Sequence, residues 1–293
     1  MIRAIFIKAV LYLFAALPLP VSHALGAVIG TGLRFIPNRV RAITRTNISL
    51  CLPELTQIQQ RRLVNASLVE LGKTATEIGA LWLRPGAMAL RLIRKVDGLE
   101  HVEAALAQGQ GIILATPHLG AWEVSGMYCA SKYDITCLYR PLRMPALENL
   151  VRKARNRVGG NYVPTTAQGI RTLYKTLRAN GAVAMLPDQE PQSGTGNFAP
   201  FFGTPAYTMV FMSRLSIKSG APMVFAWSER LSFGRGYHLH FRPVQTGAYD
   251  EDIDTAVAAI NLTVEKMIRE NPAQYQWSYR RFRTRPPGEP PIY

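Results

Sequence analysis

The sequence predicts an α/β domain, a mixed β-sheet flanked by helices, that carries an apolar helical segment at its N-terminus. Three observations lead there. Helix and strand signals alternate along most of the chain after residue 56. The 293 residues are 48% hydrophobic and 18% charged, which suits one large core. Between Lys8 and Arg34 lie 25 residues without an Asp, Glu, Lys or Arg, enough to cross or enter a bilayer. The chain thus divides into a membrane-associated segment, 1–33, and a domain, 34–293.

Within the first segment Pro18 and Pro20 break a straight helix, so two limbs are expected, 9–17 and 21–33. Arg34, Arg39, Arg41 and Arg45 follow, against Arg3 and Lys8 before, and this bias leaves the domain on the cytoplasmic side. Ser22-His23-Ala24 offers small residues for a cleaved signal peptide, but the basic cluster after it counts against export. Thr56 and Gln59 form a capping box, and Val64, Leu68, Leu71, Ala75, Ile78 and Trp82 keep helical spacing. A short helix over 99–107 ends at Gly109, followed by an apolar strand from Gly111 and a helix through Tyr128. Further along come a strand at 134–139, a basic helix at 147–157, a helix at 170–178 stopped by Gly181, and a strand at 182–186. The pattern then predicts a helix at 208–218, hairpin strands at 223–230 and 237–244 around Gly234-Arg235-Gly236, and a last helix at 253–269.

Chemistry concentrates at His118-Leu119-Gly120-Ala121-Trp122-Glu123. The histidine follows a buried strand and precedes a helix, a turn where side chains project into a crevice. Five positions on one helix would set the two side chains about 140° apart. The pair therefore requires His118 on the turn and Glu123 in the first turns of the helix, where the helix N-terminus favours a carboxylate and a neutral imidazole. In that arrangement His118 is a general base and Glu123 its orienting partner. The spacing alone is a weak signal; its context decides.

Other chemistries lack their signatures. Gly72-Lys73-Thr74 would end a P-loop, but Ser67 stands where the first glycine belongs and the segment reads as helix. Gly109-Gln110-Gly111 precedes a strand, whereas a dinucleotide fingerprint follows one. No serine has a nucleophile-elbow setting. Cys51, Cys129 and Cys137 form no Cys/His ligand pattern and read as buried thiols, so neither a metal nor a disulfide is expected. The net charge of +15, from 26 arginines and 8 lysines against 19 acids, points to anionic partners. Basic residues are not interleaved as in a nucleic-acid motif, so a non-catalytic nucleic-acid- or membrane-binding protein is the weaker alternative.

The ordered set of segments is more specific than any one of them. The stretch 109–123, then Tyr139-Arg140-Pro141, Leu186-Pro187-Asp188-Gln189 and Phe201-Phe202-Gly203-Thr204-Pro205-Ala206, resembles the bacterial lipid A secondary acyltransferases. These lie within the glycerolipid and lysophospholipid acyltransferase superfamily. The resemblance extends upstream through 47–54 and 70–82 and downstream through 274–286, covering nearly the whole chain.

The resemblance implies transfer of a fatty acyl chain from acyl carrier protein to a hydroxyl of a lipid A precursor at the inner membrane, without a cofactor or covalent acyl-enzyme. Another glycolipid or a lysophospholipid is the alternative acceptor. It also implies that Arg155, by spacing, and Asp188, in the Pro-Asp pair, bind substrate, with Arg140, Gln189 and Glu190 at the crevice rim. Arg280, Arg281 and Arg283 beside Trp277 and Phe282 suggest a membrane-surface or phosphate patch. Relatives carry histidine just before the paired arginines where this chain has Tyr279, so that position's role is open.

Overall fold

The computed structural model describes residues 2–139 and 144–293. Along these residues run α1 (Ile2–Ala16), α2 (Leu19–Gly32), α3 (Arg39–Cys51), α4 (Gln57–Leu83), α5 (Gly86–Leu90), β1 (Ile93–Asp97), α6 (Leu99–Leu106), β2 (Ile112–Ala115), α7 (Trp122–Lys132) and β3 (Ile135–Tyr139). They continue with α8 (Pro145–Asn156), β4 (Asn161–Pro164), α9 (Ala167–Arg178), β5 (Ala182–Met185), β6 (Gly196–Phe201), β7 (Thr204–Met209), α10 (Phe211–Ser219), β8 (Met223–Arg230), β9 (Tyr237–Pro243) and α11 (Ile253–Glu270).

Seven strands form one mixed sheet in the order β1-β9-β8-β2-β5-β3-β4. Neighbours are parallel throughout except β8 and β9, the expected hairpin, which pair antiparallel from Val224 opposite Pro243 to Arg230 opposite Tyr237. Central β2 is buried along its whole length, as a strand covered on both faces must be. One face carries Ile113, Ala115, Val183, Met185 and Phe225 against Ile48, Leu68, Leu173, Leu215 and Ile260. The other carries Ile112, Leu114, Ala226, Leu239 and Phe241 against Val102, Ala105 and Cys129. The mixed α/β sheet flanked by helices is therefore as expected.

The N-terminal limbs are α1 and α2, broken at Leu17-Pro18. Among the described residues no helix is long and apolar enough to cross a membrane. Instead α2 crosses α4 at backbone distance: a Cβ on Gly72 would stand 2.0 Å from the Gly26 carbonyl oxygen, and one on Gly30 2.1 Å from that of Leu68. At the crossing His23 Nε2 lies 2.9 Å from Glu77 Oε2. Glu77 also accepts from Arg230 (Nε 2.9 Å, NH2 2.6 Å) and from the Tyr237 hydroxyl at 3.0 Å, while Arg230 NH1 donates to Glu70 at 2.7 Å. Burial would raise the Glu77 carboxyl, but the Arg230 charge and hydrogen bonds outweigh it and bring its pKa down to about 2.

Local differences have local causes. Residues 208 and 209 belong to β7, not to a helix, and α10 begins at Phe211. The β6-β7 ribbon escapes the strand pattern because Pro200 sits opposite Pro205, a residue that withholds a ladder donor and is tolerated where a strand has a free edge. Its turn is Phe202-Gly203, both at positive φ. Trp277, Arg281 and Phe282 are buried, so they form no surface patch. Arg281 instead donates to Tyr207 O and Thr208 Oγ1 and lies over the Phe201 ring.

Candidate active site

The parallel strands β2, β5 and β3 end side by side, and the loops leaving them enclose the candidate site, at the carboxyl edge where open α/β sheets bind ligands. The loop after β2 is fixed by its backbone. Gly120 N–H donates to Gln274 O and Ala121 N–H to Ser228 O, while the His118 carbonyl accepts from Gln276 N–H. Gly120 sits at φ +61, and a Cβ there would lie 2.1 Å from the Ser228 oxygen, so only glycine fits. His118 therefore leaves a rigid turn, with its ring 5.1 Å from that of Trp122.

The partner of His118 is Asp188, not Glu123. His118 Nδ1 lies 2.9 Å from Asp188 Oδ1, and the His118 backbone N–H donates to Oδ2, also at 2.9 Å. Asp188 is only 2% exposed. Burial alone would push its carboxyl up; the His118 charge and hydrogen bonds more than offset this, and its pKa falls below the ordinary value. The Tyr275 phenol adjoins the same carboxylate, and burial followed by the Asp188 charge raises its pKa well above the usual. Asp188 was expected on substrate; both its oxygens face His118 instead. The cause is topological. Met185 is in register with Ala115, so the segment after β5 runs beside the one after β2.

Glu123 lies in the first turn of α7 and is held by Arg155 of α8, with NH2 to Oε1 at 2.6 Å and Nε to Oε2 at 3.3 Å. This is the two-point geometry that suits a guanidinium and a carboxylate. Arg155 also lies over the Tyr162 ring. Burial lowers the Arg155 pKa and Glu123 raises it, with the net shift upward. Gln189 donates from Nε2 to Gln276 Oε1 at 2.9 Å. The Tyr279 hydroxyl accepts from Glu190 N–H, while the Glu190 carboxylate accepts from Arg283 and Thr284, so position 279 fixes the loop after Asp188. Arg140 lies outside the described residues.

His118, Glu123, Arg155, Gln189 and Glu190 line one cavity of about 480 Å³. Much of the remaining lining is apolar: Leu138, Tyr162, Ile170, Ala184, Met185, Met209 and Phe211, with Gly126 and Cys137. All three cysteines are free and buried, and burial pushes the Cys137 thiol up to about 12, which makes it a poor nucleophile. A histidine whose Nδ1 is held by a carboxylate keeps Nε2 for proton transfer. Among the described residues Nε2 has no hydrogen-bond partner. The same cavity is lined by a paired cation, Arg155, and by many apolar side chains.

Comparison with known proteins places the chain in a family. The family model described as bacterial lipid A biosynthesis acyltransferase matches residues 2–284. The chain is 31% identical over 289 residues to the lipid A biosynthesis palmitoleoyltransferase of Escherichia coli (strain K12), covering 97% of this chain and 92% of that protein. It is also 31% identical over 286 residues to the lipid A biosynthesis lauroyltransferase of the same organism, with the same coverage. A more distant similarity, 29% over 188 residues, covers 62% of this chain and 58% of a phosphatidylinositol mannoside acyltransferase of Mycobacterium tuberculosis (strain CDC 1551 / Oshkosh).

Proposed function

The chain belongs to the bacterial lipid A biosynthesis acyltransferases, and we propose that it moves a fatty acyl chain from the thioester of acyl carrier protein to a hydroxyl of a lipid A precursor through a His118–Asp188 pair. The observation that carries this reading is the double hold of Asp188 on His118 in the wall of a largely apolar cavity. Asp188 fixes the Nδ1–H tautomer and stabilises the imidazolium; Nε2 removes the proton of the acceptor hydroxyl. The alkoxide attacks the thioester carbonyl, the C–S bond breaks, and the departing thiolate takes the proton from His118. No acyl-enzyme forms.

Glu123 holds Arg155 at the cavity wall, where the guanidinium stabilises the developing oxyanion or binds the phosphate of the carrier's prosthetic arm. Gln189 borders the acceptor side, and the apolar walls receive the acyl chain. The similarity to a phosphatidylinositol mannoside acyltransferase supports another glycolipid as the alternative acceptor.

The same reading puts α1 and α2 in the cytoplasmic leaflet of the inner membrane, lying in its surface. Ile5, Phe6, Tyr12 and Leu13 of α1 and Val21, Leu25, Val28 and Ile29 of α2 are exposed, followed by Phe35 and Ile36, with Arg34, Arg39 and Arg41 beside them to meet anionic headgroups.

The test is mass spectrometry of product formed from acyl carrier protein thioester and lipid A precursor, paired with lipid A profiles of cells lacking the gene. Loss of one secondary acyl chain is expected, and His118→Ala should not restore it. An unchanged profile transfers the reading to the other glycolipid, and near-normal transfer by folded His118→Ala protein overturns the mechanism.

A further inference from the structure

At the sheet edge remote from the cavity, three adjacent strands bring two imidazoles and two carboxylates together. His238 and His240 are two apart on β9, so their side chains leave the same face. Asp97 of β1 is in register with His240, and Glu229 of β8 is in register with His238, which puts all four on that face. The His238 and His240 ring centroids are 3.9 Å apart. His238 Nε2 lies 2.7 Å from Asp97 Oδ2, His240 Nε2 lies 3.3 Å from Glu229 Oε2, and His238 Nδ1 lies 3.9 Å from the same Glu229 oxygen. One ligand atom from each of Asp97, His238 and His240 falls within a 4.8 Å span.

We propose that Asp97, His238 and His240 form a binding site for a divalent transition-metal ion of the zinc type, with Glu229 as the neighbouring carboxylate that orients the His240 imidazole through Nε2 and leaves its Nδ1 to the ion. Imidazole nitrogen with carboxylate oxygen is the donor set that such ions take, at about 2.0–2.2 Å from each atom. Ligand atoms around a tetrahedral ion at that radius stand about 3.3 Å apart; here Asp97 Oδ2 and His238 Nε2 are 2.7 Å apart, and the ligand atoms of all three residues lie within 4.8 Å of one another, so small side-chain adjustments reach that spacing. One donor is also unsatisfied: His238 Nε2 is buried and makes no hydrogen bond of acceptable direction, although Asp97 stands next to it. A cation uses that lone pair where a misdirected N–H does not. A carboxylate accepting from the far nitrogen of a ligating histidine is the usual support for such a ligand.

Two cations also face the cluster. Lys95 reaches Asp97 at 2.9 Å, and Arg242 NH2 is 3.5 Å from His240 Nδ1 while its guanidinium is paired with Glu270. Lys95 is largely exposed and can swing into water. Its competition for Asp97 weakens the expected affinity.

The experiment titrates zinc chloride into full-length protein, freed of metal by chelator, in a calorimeter, with cobalt(II) absorption reporting coordination. One equivalent of zinc should bind, and cobalt should give visible bands of a four-coordinate site. His238→Ala/His240→Ala and, separately, Asp97→Asn should each weaken binding at least tenfold. Because Asp97 is at the partly exposed edge, Asp97→Asn decides the matter if the double variant does not fold. Absence of zinc binding at 100 μM, or affinity unchanged in folded Asp97→Asn protein, overturns the proposal. Acyl transfer is not the readout, so this test and that of the proposed function fail independently.

Discussion

Replacing Asp188 by asparagine removes one charge and keeps the side-chain shape. In the wild type both carboxylate oxygens accept from one residue, the His118 backbone N–H and ring Nδ1, each at 2.9 Å. An amide can accept one of these and must turn its own NH2 toward the other. The lost bond should lower stability by about 1.5–3 kcal/mol, as for a hydrogen bond to a charged group. If the amide oxygen stays on the backbone N–H, the amide NH2 faces Nδ1 and selects the tautomer whose proton is on Nε2, which cannot act as base. Transfer should then fall about 10³-fold, equivalent to about 4 kcal/mol at the barrier. The assay is initial-rate kcat/KM by mass spectrometry, with thermal unfolding confirming that the variant folds. His118→Ala/Asp188→Asn should be no slower than His118→Ala alone, since both changes disable one unit. Activity of folded Asp188→Asn protein within tenfold of wild type, or additive losses in the double variant, would refute the pairing. The pH dependence has a defined sign. The folded Asp188 pKa lies below the ordinary carboxylate value of about 3.9, so its stability contribution is fully present above about pH 4 and is lost as pH falls through the folded value.

Glu77→Gln should cost about 3–5 kcal/mol of stability, because it leaves the Arg230 guanidinium buried and underpaired; thermal unfolding near neutral pH measures this. With Glu77 lowered to about 2, the difference from wild type should shrink as pH falls from about 4 toward 2, the window in which the wild type also loses the charge. Gly126 lines the cavity, and a Cβ there meets nothing within 4 Å, so Gly126→Leu should fold and shift donor preference toward shorter acyl chains, read as relative kcat/KM across a chain-length series. Each methylene excluded is worth about 0.8 kcal/mol of binding. Phe6→Ser/Val28→Ser should weaken sedimentation with anionic vesicles at least tenfold while leaving transfer to detergent-dispersed acceptor near wild type; equal loss in both assays would remove the membrane surface from α1 and α2.

Local order was legible in the sequence because its causes are local. The capping box at Thr56 and Gln59 forms as written, the hairpin turns between Arg230 and Tyr237, and His118 sits on the turn after an apolar strand. The ordered motifs likewise pointed to the family that the comparisons then matched. Pairing across the fold was not legible. His118 and Glu123 are near in sequence and both face the cavity, yet the ring of His118 bonds to a carboxylate 70 residues away and Glu123 to a guanidinium 32 residues away. Trp277 and Phe282 have the composition of an interfacial patch and lie in the core, and Pro200 and Pro205 hide a ribbon that the surrounding chain stabilises. Periodicity, capping and turn chemistry act over a few residues and so are written along the chain. Which strand lies beside which is set by burying the whole sheet at once, and it was the adjacency of β2 and β5 that gave His118 its partner.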